Sequence, residues 1–148
     1  MEYMAFMAHT TYEMVDYLEE TLKEYNIGTY FIGYEEKPYE HFHFLVEMEN
    51  DDYIKYRKRV FIDKLKLRGQ ARQGQPRQYG RIKDIKDLEK MKSYTIKEGK
   101  FRTNLEDQQE LQILIDRSFS KQEKIDKEKE IIKQLNLGTV EEMRYNCI

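Results

Sequence analysis

The chain of 148 residues is 39% hydrophobic and 36% charged, the proportions of one polar globular domain with a single core. No apolar run approaches the roughly 18 residues of a membrane helix, and the N-terminus lacks the basic-then-apolar pattern of a secretory leader. The lone cysteine, Cys147, excludes an internal disulfide, so a reducing intracellular setting and no membrane partner are expected.

The net charge of −2 hides a strong asymmetry. Residues 1–52 carry 2 basic against 13 acidic side chains, residues 53–102 carry 17 against 5, and residues 103–148 carry 7 against 10. The balances are therefore −11, +12 and −3. A middle third this basic fits a polyanion partner, and the acidic first third limits where that partner can lie.

In chain order, residues 2–8 read as a first strand. Thr10 and Glu13 form a capping-box pattern, followed by Met14, Val15, Leu18, Leu22 and Tyr25 at helical spacing. Thr29–Glu35 and His41–Glu47 read as a hairpin across a Lys37-Pro38 turn. A second helix is expected from Asn50 to about Leu67. A polar, flexible, Arg-bearing loop follows at Gly69–Gly80, then a short strand at Tyr79–Lys83 and a helix over Asp84–Lys97. Leu105–Leu135 reads as charged helix with a break near Ser118–Ser120, and Thr139–Glu142 as another capping box. The order β-α-β-β-α-β-α predicts an α+β fold. It has an antiparallel sheet of four to five strands with helices on one face, in a domain of residues 1–104, followed by a helical extension over 105–148.

Two short patterns carry chemistry. His41 and His43 alternate along a strand, so both project from one face about 7 Å apart, with Phe42, Phe44 and Val46 facing the core. Two imidazoles plus a carboxylate suit a divalent metal; Glu35 ends the adjacent strand, with Glu36 as the alternative. Tyr94 and Lys97 are i and i+3 on a helix with Lys90 one turn earlier. Neighbouring ammonium groups would stabilise a phenolate, whose free pKa of about 10 is otherwise too high for attack at neutral pH.

Taken together, Glu35, the His41-Phe42-His43-Phe44 strand and the run Tyr94-Thr95-Ile96-Lys97-Glu98-Gly99 resemble the HUH endonuclease domain of rolling-circle replication initiator (Rep) proteins. The likeness is greatest to those of small circular single-stranded DNA viruses, and the two motifs here are 51 residues apart. The resemblance covers roughly residues 2–104. It implies that Tyr94 is a nucleophile that nicks origin DNA, leaving a 5′-phosphotyrosyl link and a free 3′-hydroxyl that primes synthesis. Lys97 assists near the scissile phosphate, and Glu35, His41 and His43 hold Mg²⁺ or Mn²⁺. It also implies single-stranded DNA at a replication origin, in a stem-loop, as the partner, and a host-cell location, nuclear in a eukaryote and cytoplasmic otherwise. The family's first motif is represented only by Tyr3–Thr10, so no role falls to His9. Arg68, Arg72, Arg77 and Arg81 are candidates to track the DNA backbone together with Lys90, and Tyr79 to stack a base. The C-terminal helices are candidates for homo-oligomerisation. A transposase or relaxase of the same superfamily, and an RNA- or DNA-binding module of like topology, are the alternatives.

Overall fold

Three largely apolar segments, buried on both faces for most of their length, form the centre of a sheet whose two faces carry different residues. The computed structural model describes residues 1–82 and 85–118. Strands β1 (Tyr3–Ala8), β2 (Ile27–Glu35), β3 (His41–Met48), β4 (Tyr79–Ile82) and β5 (Phe101–Thr103) form one sheet in the order β4-β1-β3-β2-β5, antiparallel at every pairing. The fold is α+β, as the element order predicts. The three-residue strand β5 was not separately legible, being too short to display a period.

The even-numbered residues of the three central strands face one core. Phe6, Ile32, Phe42, Phe44 and Val46 pack there against Val15, Leu18 and Leu22 of α1 (Val15–Leu22) and Tyr53 and Tyr56 of α2 (Asn50–Tyr56). Phe6 and Phe44, on adjacent strands, stack with ring centroids 4.7 Å apart. Burying each such side chain contributes about 1.5–3 kcal/mol, so this face holds the sheet together. The Thr10 capping box does not form. Thr11 instead precedes a 3-10 turn over Tyr12–Met14 that leads into α1, without a side-chain cap.

Past Tyr56 the second helix changes register and continues as a π-helix over Arg57–Lys64, with the Leu65 N–H donating to the Val60 carbonyl at 3.0 Å. The one-residue-looser spacing leaves no mark in residue type, so the sequence reads as ordinary helix there. The Gly69–Gly80 loop, expected to be flexible, contains a tight turn. Arg72 and Gln75 exchange backbone hydrogen bonds of 2.9 and 2.8 Å, and Gln73 and Gly74 both have positive φ, the requirement of a two-residue hairpin turn.

The odd-numbered face carries a smaller core of Ala5, Phe31 and Leu45 with Ile96 and Leu114. The expectation of helices on one face holds for α1 and α2. In addition, α3 (Leu88–Thr95) and α4 (Gln108–Ser118) lie over the other face. Because Leu114 joins this core, the compact unit runs from Met1 to Ser118, past residue 104. α3 starts later than Asp84, with Asp87 capping it by accepting from the Lys90 N–H at 3.2 Å, and ends at Thr95, so Lys97 lies in the turn just past it rather than on the helix. The readings beyond Ser118, including the Thr139–Glu142 capping box and oligomerisation through C-terminal helices, lie outside the described residues. Among those described, no helix is long and apolar enough to cross a membrane.

Candidate metal and tyrosine site

Register places the candidate ligands side by side. Glu35 pairs with His41 and Gly33 with His43 across β2 and β3, and all four are odd-numbered residues on the face away from the aromatic core. Glu35, His41 and His43 each offer a ligand atom, and these atoms lie within 4.8 Å of one another, a group able to hold a metal ion. Glu36 is exposed and one residue out of phase, so Glu35 is the carboxylate of this group.

The protonation pattern suits a cation. The His41 Nδ1 is 2.5 Å from the Tyr39 carbonyl, which can only accept, so Nδ1 carries the proton and Nε2 presents its lone pair inward. That Nε2 faces the His43 Nε2 at 3.0 Å and Glu35 Oε2 at 3.3 Å. Burial pushes the His43 pKa down to about 4; the Glu35 carboxylate opposes this, and His41 and Lys97 add to it. His43 is therefore neutral at physiological pH, as a ligand must be. Glu35 Oε1 is buried, makes no close hydrogen bond, and has only the Lys97 ammonium at 3.5 Å as a charge partner. An inward His41 lone pair, a neutral His43 and this carboxylate fit a divalent cation.

Tyr94 and Lys97 arrive from the other side of the site. The Tyr94 ring lies over His43 with centroids 5.5 Å apart and is 46% exposed, so the phenol is open to a substrate. Lys97 Nζ lies 4.3 Å from the centre of the Tyr94 ring and 3.5 Å from Glu35 Oε1. Burial works against the Lys97 charge, but Glu35 and Tyr94 outweigh it and raise the pKa above its ordinary value. The ammonium is thus retained beside the phenol.

Gly33 makes this approach attainable. A Cβ at that position would sit 1.6 Å from the Thr95 carbonyl oxygen and 2.7 Å from its carbon, so only glycine lets the end of α3 lie directly on β2. Strand periodicity puts Gly33 on the same face as Glu35, but this contact is not readable locally because it joins residues far apart in the chain.

The structure also brings His9, given no catalytic role by the sequence, close to the site. Met7 pairs with His43, so the chain just past β1 runs beside His41, and the His9 ring lies 5.8 Å from both His41 and Tyr39. Burial lowers the His9 pKa, with further repulsion from His41 and Arg68. A histidine directly after a strand that pairs with a His-x-His strand was the available signal.

The remaining candidates divide into two groups. Lys90 lines a cleft of about 420 Å³ beside Tyr94, with Ser93 and Lys97. Arg68, Arg72 and Tyr79 line a different cleft. Arg77 donates to the Arg81 carbonyl at 3.0 Å and Arg81 to Asn50 Oδ1 at 3.3 Å, so both are held at the β4 edge. The Tyr79 ring leans on Phe61 at 5.9 Å, so it is partly engaged with the core. No family model, curated protein or solved structure matches the chain. The reading of this site rests on its own geometry.

Proposed function

We propose that this chain is a metal-dependent endonuclease that nicks and rejoins single-stranded DNA at a replication origin, of the HUH rolling-circle initiator type. The observation that carries the reading is the meeting of a Glu35-His41-His43 cluster with an exposed Tyr94 and its Lys97 neighbour. Structural histidines have no need of a tyrosine and a lysine brought over them by a separate helix.

Glu35, His41 and His43 would hold Mg²⁺ or Mn²⁺, since mixed nitrogen and oxygen donors with room for substrate oxygens suit these ions better than a closed four-ligand zinc site. Such a cation, when bound, supplies positive charge that polarises the scissile phosphate. Lys97 stabilises the Tyr94 phenolate and the charge that builds on phosphorus. Tyr94 Oη forms a bond to phosphorus as the bond to the 3′ oxygen breaks, and that oxygen leaves as a hydroxyl after taking a proton. One phosphodiester replaces another, so the step reverses when a 3′-hydroxyl attacks the phosphotyrosine. The free 3′ end primes copying, and reversal closes the circle. With a single tyrosine in the site, a second strand transfer requires re-use of Tyr94 or a second copy of the chain.

The test uses a labelled pool of single-stranded stem-loop oligonucleotides with randomised loops, incubated with the protein and Mn²⁺. The expected product is an SDS-resistant protein–DNA adduct, absent in EDTA and absent from Tyr94→Phe. No adduct from the native chain, or an adduct that survives Tyr94→Phe, overturns the reading. Binding with no adduct favours a recognition module of the same topology.

A further inference from the structure

Beyond the metal site, the described residues contain a second concentration of unsatisfied polar groups. It lies where the π-helix begins. Arg57 is the first residue of that segment, and π-helical distortions fall frequently at functional positions. The Arg57 guanidinium lies 5.5 Å from the centre of the Tyr53 ring, one turn earlier. Arg57 Nε and the Tyr53 hydroxyl are both buried, and neither has a hydrogen-bond partner among the described residues. Burial raises the Tyr53 pKa and Arg57 opposes this, so the guanidinium is held over the phenol while its charge has no carboxylate partner among the described residues.

Arg57 forms one wall of a cleft of about 610 Å³, and Arg68, Arg72 and Tyr79 line the rest, with no carboxylate in the lining. The ion pairs among the described residues engage Lys58, Arg59, Lys92, Lys97, Arg102 and Arg117, and none involves these three arginines. Arg68 is fixed by donating to the carbonyls of Gln70 (2.7 Å) and Pro76 (2.8 Å), which orient it without cancelling its charge. Arg72 stands at the tight turn described above.

Backbone hydrogen bonds connect the loop that lines the cleft to the chain just past β1. The His9 N–H donates to the Gln78 carbonyl at 2.7 Å, and the Gln78 N–H donates to the Arg68 carbonyl, also at 2.7 Å. Two hydrogen bonds thus tie the backbone of the cleft to His9, whose ring neighbours His41.

The geometry points to the Arg57–Arg68–Arg72 cleft as a second phosphate-binding site. It takes a backbone phosphate of the single strand several nucleotides from the one that Tyr94 attacks, reached past His9 and Tyr39. This inference deepens the nicking reading and rests on it for the identity of the strand. Fork-shaped guanidinium donors match a phosphodiester oxygen pair, and the absence of carboxylates from the lining removes the competing partner.

Two measurements separate this inference from the reading it builds on. The first follows binding of labelled oligo-dT by fluorescence anisotropy against salt concentration, without metal. Each phosphate contact to a single strand contributes about 0.7 to the slope of log K against log salt. Arg57→Gln and Arg72→Gln should each lower that slope by about 0.7. Arg72 is exposed, so its variant tests the cleft even if Arg57→Gln fails to fold. The second measures the adduct KM with oligonucleotides lengthened one nucleotide at a time on either side of the cleaved phosphate. Lengthening on one side should lower KM about tenfold, a gain that Arg57→Gln abolishes. Slopes equal to that of the native chain in both variants, or a KM indifferent to length, overturn the cleft. Absence of any adduct from the native chain overturns the nicking reading instead, and the salt slopes still decide the cleft.

Discussion

Gly33→Ala isolates the link between the sheet and the tyrosine helix. The added methyl carbon would sit 1.6 Å from the Thr95 carbonyl oxygen, and ordinary contact begins near 3.4 Å, so the end of α3 must retreat by about 2 Å. The obstructing atoms are backbone, so no rotamer change relieves them. The ligands are on the strands themselves, and the β2–β3 ladder does not pass through the added carbon. Misplacing a reacting group by about 1 Å costs on the order of 100-fold in rate, or about 2.7 kcal/mol of activation free energy. Single-turnover adduct formation should therefore fall at least 100-fold in this variant, while Mn²⁺ titration by electron paramagnetic resonance still gives native stoichiometry. Overpacking at the same point should cost about 1–3 kcal/mol of stability in urea. An adduct rate within threefold of native would refute the reasoning. Loss of Mn²⁺ binding would show that the methyl group disturbs the hairpin rather than the helix.

Three further expectations follow from the same geometry. Glu35→Gln keeps the shape but removes the charge, so Mn²⁺ affinity by calorimetry should drop by about 100-fold or more, and a Mn²⁺ concentration that raises the native Tm should raise the variant's far less. In EDTA the pH dependence of stability below neutrality reflects His43 most strongly, with His9 adding in the same direction. The folded pKa of His43 is pushed down to about 4, whereas in the unfolded chain it titrates near its ordinary 6.5. Between these values the unfolded state binds the extra proton, so stability falls as pH drops through this window, and His43→Gln should flatten that slope in urea titrations. On the opposite face, Phe44→Ala removes a ring stacked on Phe6, and its cost in chemical denaturation should be about 3–5 kcal/mol.

The parts of the site legible in the sequence are those governed by local periodicity. A two-residue repeat puts His41 and His43 on one face whatever the rest of the chain does, and a hairpin with a short turn brings Glu35 beside them. A helical spacing of three likewise joins Tyr94 to Lys97. What brings the two groups together is non-local. The absence of a side chain at Gly33 matters only because Thr95 rests there, and His9 reaches the site only through the β1–β3 register. The Arg57 cleft escaped notice for a different cause. A helix that slips into π geometry keeps the composition of an ordinary helix while redirecting its side chains, so nothing in the sequence singles out Arg57. The capping box at Thr10 shows the reverse error, a pattern present in sequence whose hydrogen bonds the chain does not make.

The two halves of the site differ in how firmly they are held. His41 and His43 belong to the central strand, whose other face lies in the aromatic core, and moving them means unfolding the sheet. On α3 the fully buried residues are Lys92, Ser93 and Thr95, while Leu88 and Met91 are only partly buried against the smaller core and Ile96 anchors the end of the helix. This contact is smaller than the aromatic face that holds the central strands, so α3 opens at lower cost than they do. A tyrosine bonded to a DNA end could thus withdraw and return while the ligand strands stay in register. Amide exchange would then be fast along α3 and slow along β3, and the covalent step and the handling of the broken end would be separable motions.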